Sequence, residues 1–138
     1  MRIFFISQRK AESLRGNKAS LLISITDPGC EPANLSNSWH SILRLSFHDV
    51  DEITFPGANP ELIPMSEMDA IAVTKFTHAT PDSIRAIYVH CRSGISRSAG
   101  AAKAVADYFN FQFDNSYNEY NRHVYITTLN ALQSRSIK

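Results

Sequence analysis

One stretch of the sequence, residues 87–100, restricts the fold more than any other. It reads IYVHCRSGISRSAG. The first three letters favour a β-strand, and Gly94 permits a positive φ or a close approach by another backbone segment. An alanine-rich run from Ser98 onward favours a helix. The stretch therefore predicts a strand, a tight loop and the first turn of a helix.

A loop in this position can form a cradle for an anion. It directs backbone N–H groups into one concavity, and the start of the helix adds partial positive charge there. Arg97 closes the loop with a planar guanidinium group that matches two oxygens of a phosphoryl group. Cys91 opens the loop, where this positive field favours the nucleophilic thiolate. The residues predict a thiolate placed to attack a bound phosphate.

The nine letters HCRSGISRS, residues 90–98, resemble the HCxxGxSRS signature of dual-specificity phosphatases. These belong to the cysteine-dependent protein tyrosine phosphatases, in which five residues separate the cysteine from the arginine. The fixed positions of the signature all agree, and the predicted strand, loop and helix are the context that the motif requires. The resemblance extends from Asp49 to about Phe109, whereas the N-terminal third agrees only in its strand pattern.

The resemblance implies a role for each residue of the motif. Cys91 would be the nucleophile and Arg97 would bind the phosphate, without any metal or cofactor. Ser98 would hydrogen-bond the sulfur, or cap the following helix, and His90 would brace the loop from the opposite side of the strand. The phosphate-binding loop would comprise Arg92, Ser93, Gly94, Ile95, Ser96 and Arg97, with the Arg92 side chain facing solvent and Ser96 bonded within the loop.

A phosphatase of this kind also needs a carboxyl group as general acid. In dual-specificity phosphatases the acid follows the strand that precedes the long helix, and the segment ending in Asp49 occupies that place. We expect Asp49 to be the acid, with Asp51 as the alternative and Glu52 as a third choice. If the two strands are parallel, this acidic turn and the Cys91 loop lie at the same edge of the sheet.

The whole chain, residues 1–138, is predicted to be a single α/β domain. Apolar runs alternate with helical patterns, which indicates a mostly parallel central sheet with helices on both faces, as in phosphotyrosine protein phosphatases. Strands are expected over Ile3–Ile6, over Leu21–Ile25 and from Ile42 to about Phe47. The Pro- and Gly-rich residues 53–64 are expected to be a long surface loop that either forms a wall of the substrate site or is a plain excursion.

Four local expectations concern two helices, the tryptophan and the remaining cysteine. Ser66 should cap a helix with a buried stripe formed by Met65, Met68, Ile71, Ala72, Phe76 and Ala79. A last helix should run from about Tyr117 to Ser134, with a buried stripe formed by Tyr117, Tyr120, Val124, Tyr125, Leu129 and Leu132. Trp39 should be a packing anchor, and Cys30 should be a half-buried loop residue.

Composition restricts the partners. A net charge of +1 argues against general nucleic-acid binding, and no apolar run is long enough for a membrane span or a signal peptide. Two cysteines do not form a disulfide framework, and a reactive thiol requires reducing surroundings. We therefore expect a monomeric, cytoplasmic protein with a phosphorylated protein as its substrate.

Three functions remain open at this stage. The first is a phosphatase for phosphotyrosine proteins, or for phosphoserine and phosphothreonine proteins as well. The second is a pseudophosphatase that binds phosphorylated partners without turnover. The third is a phosphatase for a small molecule, a nucleotide or RNA end, or a lipid; the loop has no lysine, unlike the loops of three-position phosphoinositide phosphatases.

Overall fold

A computed structural model describes the backbone of residues 1–137 and the side chains of residues 1–134. The elements, in chain order, are β1 (Arg2–Ser7), α1 (Gln8–Ser13), β2 (Ser20–Thr26), β3 (Ser41–Ser46), α2 (Glu67–His78), β4 (Ala86–Cys91), α3 (Arg97–Phe109) and α4 (Arg122–Ile137). Within the described range, no helix is both long and apolar enough to cross a membrane.

The sheet is parallel throughout and has the strand order β1-β4-β2-β3. The last strand in the sequence therefore lies between the first two, and Cys91 at its end is paired in register with Ser7 of β1. All four strands end at the same edge, where ligands gather in open α/β sheets. The predicted α/β class with a parallel sheet is confirmed.

The main core lies between one face of the sheet and helices α2, α3 and α4. Alternate residues of β4, Ile87 and Val89, meet the alanines of α3 there, and the small alanine side chains allow the helix to approach the sheet closely. Residues on the other face of the sheet lie under α1 and the segment around Trp39. Trp39 is 4% exposed and packs edge-on against Tyr88, which confirms the expected packing anchor.

The buried stripe of α2 was predicted correctly only in part: Met65 is 2% exposed, and Ala72 and Phe76 pack against the core. Ser66 does cap the helix in a capping box with Asp69, but Met68 is 73% exposed. The helix instead buries Ala70, Val73, Thr74 and Thr77. The threonine hydroxyls donate to helix carbonyls at 3.0 and 2.8 Å, so these polar side chains enter the core with their hydrogen bonds satisfied.

The last helix begins at Arg122 and not near Tyr117. Tyr117 and Tyr120 lie in the irregular segment before it and are half-buried, whereas Val124 and Leu132 of the predicted stripe are buried. Two side chains cap the start of this helix: Asn121 accepts a hydrogen bond from the Val124 N–H at 3.0 Å, and Asp51, from a distant turn, accepts one from the Arg122 N–H at 2.9 Å.

Residues 53–64 form an irregular surface segment, as expected. The two ends of this excursion meet at His48, whose N–H donates to the Ile63 carbonyl at 2.7 Å and whose Nδ1 accepts from the Ile63 N–H at 2.9 Å. Such closure at the base is typical of an Ω-loop. The adjacent Asp49 therefore lies at the hydrogen-bonded base of this loop and not on its free part.

Candidate active site

The loop that follows Cys91 packs directly on the end of β1. Gly94 has φ +73°, and a Cβ atom there would lie 2.4 Å from the backbone nitrogen of Ser7. Both the positive φ and the close contact require glycine. The Gln8 N–H also donates to the Arg92 carbonyl at 3.3 Å. The loop is thus built against a neighbouring strand, which fixes its shape.

Cys91 lies at the base of this loop and is 1% exposed. Its Sγ atom is 3.1 Å from Ser98 Oγ. Helix α3 begins at Arg97 with Ser96 in the N-cap position, so Ser98 lies inside the first turn and is not the N-cap residue that the sequence left open. Its hydroxyl instead faces the sulfur, where it can donate a hydrogen bond to a thiolate.

Arg97 is held from behind by two short hydrogen bonds. Its Nη1 donates to Asp27 Oδ1 and to the Phe47 carbonyl, both at 2.7 Å. The residue is 4% exposed, and its buried Nε has no hydrogen-bond partner among the described residues. A buried donor without a partner is costly. Because Nη1 is occupied, the edge of the guanidinium group that carries Nε is the one that can bind two oxygens of an anion.

The loop also presents backbone donors. In the described part of the chain, the N–H groups of residues 93–96 donate to no protein acceptor. The carbonyl of Ile95 accepts a 2.6 Å hydrogen bond from the Tyr117 hydroxyl, and the Tyr117 ring packs on Phe5 at 4.8 Å between centroids. Tyr117 therefore ties the outside of the loop to β1, and the unused N–H groups, together with Arg97, are the donors of the candidate anion cradle.

His90 points to the opposite face of β4, as the alternation of the strand predicted. Its Nε2 is 2.6 Å from Ser24 Oγ and its Nδ1 is 3.3 Å from the Cys91 carbonyl. Because a carbonyl can only accept, Nδ1 carries the proton and Nε2 accepts from the Ser24 hydroxyl. Burial lowers the pKa of His90, so the imidazole is neutral near pH 7 and braces the strand end without a charge.

Asp49 lies against the cradle. Its Oδ1 accepts a 2.8 Å hydrogen bond from Ser96 Oγ and a 2.9 Å hydrogen bond from Asn121 Nδ2. The side chain is exposed to solvent. Ser96 therefore bonds across to the acidic turn and not within its own loop as expected. The structure brings together a thiol, an arginine and a carboxylate from β4, α3 and the turn after β3.

Asp51, the alternative acid, is occupied elsewhere. Its two oxygens accept from the backbone N–H groups of Ile53, Thr54, Arg122 and His123 and from the Thr54 hydroxyl. Partial burial acts to raise the pKa of Asp51, but these hydrogen bonds outweigh it and the pKa lies below its usual value. A carboxylate held in its ionised form is poorly suited to donate a proton.

Three further residues that the sequence singled out lie outside these contacts. The Arg92 side chain is 82% exposed and its guanidinium lies 3.9 Å from Asp27, in agreement with the expectation that it faces solvent. Cys30 is exposed and not half-buried as predicted, because the loop after β2 stands away from the core. Glu52 accepts a hydrogen bond from the Gly57 N–H within the excursion at 3.0 Å.

A hollow lies elsewhere in the molecule. It has a volume of about 620 Å³ and is bounded by α2 and α4, with Ile71 and Lys75 among its lining residues. None of its lining residues belongs to the Cys91 loop. Among the described residues, no three His, Cys, Asp or Glu side chains are grouped as metal ligands. We place the candidate site at the strand ends because the donors and the thiol converge there.

Sequence reasoning missed four residues that support this site: Ser24, Asp27, Tyr117 and Asn121. Asp27 stands in a DPG sequence and resembles any turn residue, and Ser24 lies in an apolar strand. Only their contacts with His90 and Arg97 identify them. A search of known protein-family profiles and a search of curated proteins each gave no match for this chain.

Proposed function

We propose that this protein is a cysteine-dependent phosphatase that hydrolyses phosphate monoesters through a cysteinyl-phosphate intermediate. The observation that carries the proposal is the buried Arg97, whose Nη1 is anchored and whose Nε has no partner among the described residues. That unpaired donor stands in the same loop as Cys91. An anchored cation with a free bidentate edge, next to a nucleophile, matches the needs of phosphoryl transfer.

The first step forms a sulfur–phosphorus bond and breaks the bond between phosphorus and the leaving oxygen. The Cys91 thiolate supplies the electron pair, and Arg97 with the loop N–H groups stabilises the charge on the three equatorial oxygens. Asp49 gives its proton to the leaving oxygen. We assign this role to Asp49 because it is hydrogen-bonded to the loop through Ser96, whereas Asp51 is held in a helix cap.

The second step returns the enzyme to its starting state. The Asp49 carboxylate takes a proton from a water molecule, which attacks phosphorus as the sulfur–phosphorus bond breaks. Ser98, 3.1 Å from the sulfur, donates a hydrogen bond to the departing thiolate. Inorganic phosphate then leaves the cradle.

We take proteins that carry phosphotyrosine as the main substrate class, on the strength of the HCRSGISRS motif. A reactive thiol at Cys91 fits a reducing compartment, which favours the cytoplasm. Turnover is favoured over phosphate binding alone because the nucleophile, the cradle and a carboxylate in contact with the cradle are all present.

The test is hydrolysis of an aryl phosphate by the purified protein and its variants. Cys91→Ser should remove turnover and retain binding of inorganic phosphate, measured by calorimetry. Persistent hydrolysis by Cys91→Ser would end the proposed mechanism. Wild type that binds phosphate without any turnover would establish the pseudophosphatase instead.

Substrate class is decided by a panel of phosphopeptides, phosphoinositides and nucleotides at equal concentration. The proposal predicts the highest kcat/KM on phosphotyrosine peptides. If kcat/KM is about tenfold higher for a nucleotide or an inositol phosphate than for the phosphotyrosine peptides, the substrate is a small molecule and not a protein.

A further inference from the structure

Asn121 is a buried polar residue whose side-chain amide makes three hydrogen bonds. It is 1% exposed. Its Nδ2 donates to Asp49 Oδ1 at 2.9 Å and to the Val50 carbonyl at 3.0 Å. Its Oδ1 accepts from the Val124 N–H at 3.0 Å. Because Oδ1 must face a donor and Nδ2 must face acceptors, these partners fix the orientation of the amide.

The backbone of Asn121 is fixed as well. Its N–H donates to the Ser96 carbonyl at 3.0 Å, and its own carbonyl lies so close to α3 that a Cβ atom on Gly100 would be 2.6 Å away. Asn121 therefore joins three parts of the molecule: the start of α4, the end of the Cys91 loop and the acidic turn. A side chain held at both ends can position the group that it contacts.

These contacts distinguish the two oxygens of Asp49. Oδ1 accepts from both Ser96 and Asn121. Oδ2 makes no hydrogen bond to any described residue. A proton on the carboxyl group is accommodated on the oxygen that is not already accepting two hydrogen bonds.

We propose that Asn121 is a positioning residue for proton transfer, which holds Asp49 by Oδ1 so that Oδ2 gives the proton to the leaving oxygen. This inference rests on the proposed phosphatase function. In the step, the Oδ2–H bond breaks as the bond between hydrogen and the leaving oxygen forms. The negative charge left on Asp49 is stabilised by the two donors on Oδ1, and the proton is recovered from the water that attacks in the second step.

The test uses Asn121→Ser, because serine can still cap α4 through Val124 but cannot reach Asp49. Each enzyme is assayed with phenyl phosphate, a poor leaving group, and with an activated aryl phosphate whose leaving group needs no proton. Loss of a hydrogen bond to a charged group predicts a kcat about 10–100-fold lower on phenyl phosphate. On the activated substrate, kcat should change by less than about threefold. Asn118→Ser, an exposed neighbour, is the matched control and should leave both rates unchanged.

A double variant separates positioning from general damage. With Asp49→Asn the acid is absent, so adding Asn121→Ser should cause no further loss on phenyl phosphate. Equal slowing of both substrates by Asn121→Ser, or a full additional loss in the Asp49→Asn background, would overturn the proposal. If Asn121→Ser fails to fold, Asn121→Thr also places a hydroxyl at the start of α4 as a cap and lacks the amide that reaches Asp49, and the same two substrates decide the question.

Failure of this inference is distinguishable from failure of the proposed function. If wild type hydrolyses phenyl phosphate and Cys91→Ser does not, the phosphatase stands whatever Asn121 does. If wild type hydrolyses neither substrate, the proposed function fails, and the role of Asn121 in proton transfer fails with it.

Discussion

Replacement of Asp27 tests whether Arg97 owes its orientation to the anchor behind it. The Nη1–Oδ1 distance is 2.7 Å, and the exposed fractions of the two side chains are 5% for Arg97 and 23% for Asp27. Removal of one partner of a buried ion pair costs about 3–5 kcal/mol. Asp27 is partly solvated and the Phe47 carbonyl still accepts from Nη1. We therefore expect Asp27→Ala to lower the free energy of unfolding by about 2–3 kcal/mol.

Asp27→Asn separates orientation from charge. Asparagine keeps an oxygen that can accept from Arg97 Nη1 but removes one negative charge near the cradle. The free energy of unfolding should fall by only about 1–2 kcal/mol. Phosphate binding should not weaken, because the cradle becomes more positive while the guanidinium stays in place. In Asp27→Ala the guanidinium is held by the Phe47 carbonyl alone and can turn about that one hydrogen bond, so phosphate should bind about tenfold more weakly than to Asp27→Asn.

The measurements are urea unfolding and calorimetric titration with inorganic phosphate. Asp82→Ala is the control, since Asp82 is exposed in the turn before β4 and its loss should change stability by less than about 0.5 kcal/mol. The reasoning is refuted if Asp27→Ala and Asp27→Asn bind phosphate equally well. It is also refuted if Asp27→Ala is as stable as wild type.

Three further predictions concern stability and its pH dependence. Gly94→Ala should cost about 1–3 kcal/mol more in urea unfolding than Gly57→Ala, since both have positive φ but only Gly94 has backbone atoms against the new Cβ; equal losses would contradict the close approach. Asp51→Asn should cost about 1 kcal/mol at pH 7. Because folding lowers the pKa of Asp51 from its ordinary value of 3.8, the two proteins should begin to converge only as the pH falls below that value, and a constant difference in urea unfolding down to lower pH would contradict this. Burial and the hydrogen bond with Asp107 raise the pKa of Tyr125 to about 12, so between pH 10 and 12 wild type should lose stability more steeply than Tyr125→Phe; parallel curves would show that the hydroxyl does not titrate differently on folding.

The sequence was sufficient for the parts of this molecule that are local in the chain. Strand formers, the Ser66 capping box and the contiguous Cys91 loop depend on neighbours a few residues away, and all of them lie where expected. The start of α4 was misplaced because the apolar pattern extends back to Tyr117. Asn121, a common N-cap residue, was a local signal for the observed start, since its Oδ1 accepts from the Val124 N–H. The second cap comes from Asp51 in a distant turn, and nothing in the sequence shows that contact.

The residues of the candidate site also fall into a local group, which the sequence identified, and a distant group, which it did not. Cys91, Arg97 and Ser98 could be identified from one motif, because the loop is a single piece of chain. The supports of the site are contributed by β2, the turn after β3 and the start of α4. Asp27 and Asn121 are ordinary polar residues in the sequence, and only the packing of parallel strands and of α4 on α3 brings them to Arg97 and Asp49.

The position of β4 between β1 and β2 has a consequence for synthesis on the ribosome. Arg2 pairs with Ala86, so β1 has no neighbour in the sheet until more than eighty further residues have been made. At ordinary rates of translation this wait lasts roughly 4–17 s. During that time the apolar residues of β1 are exposed while β2 and β3, which pair with each other, can already associate. The end of β1, against which Gly94 packs, is therefore among the last parts of the sheet to be paired.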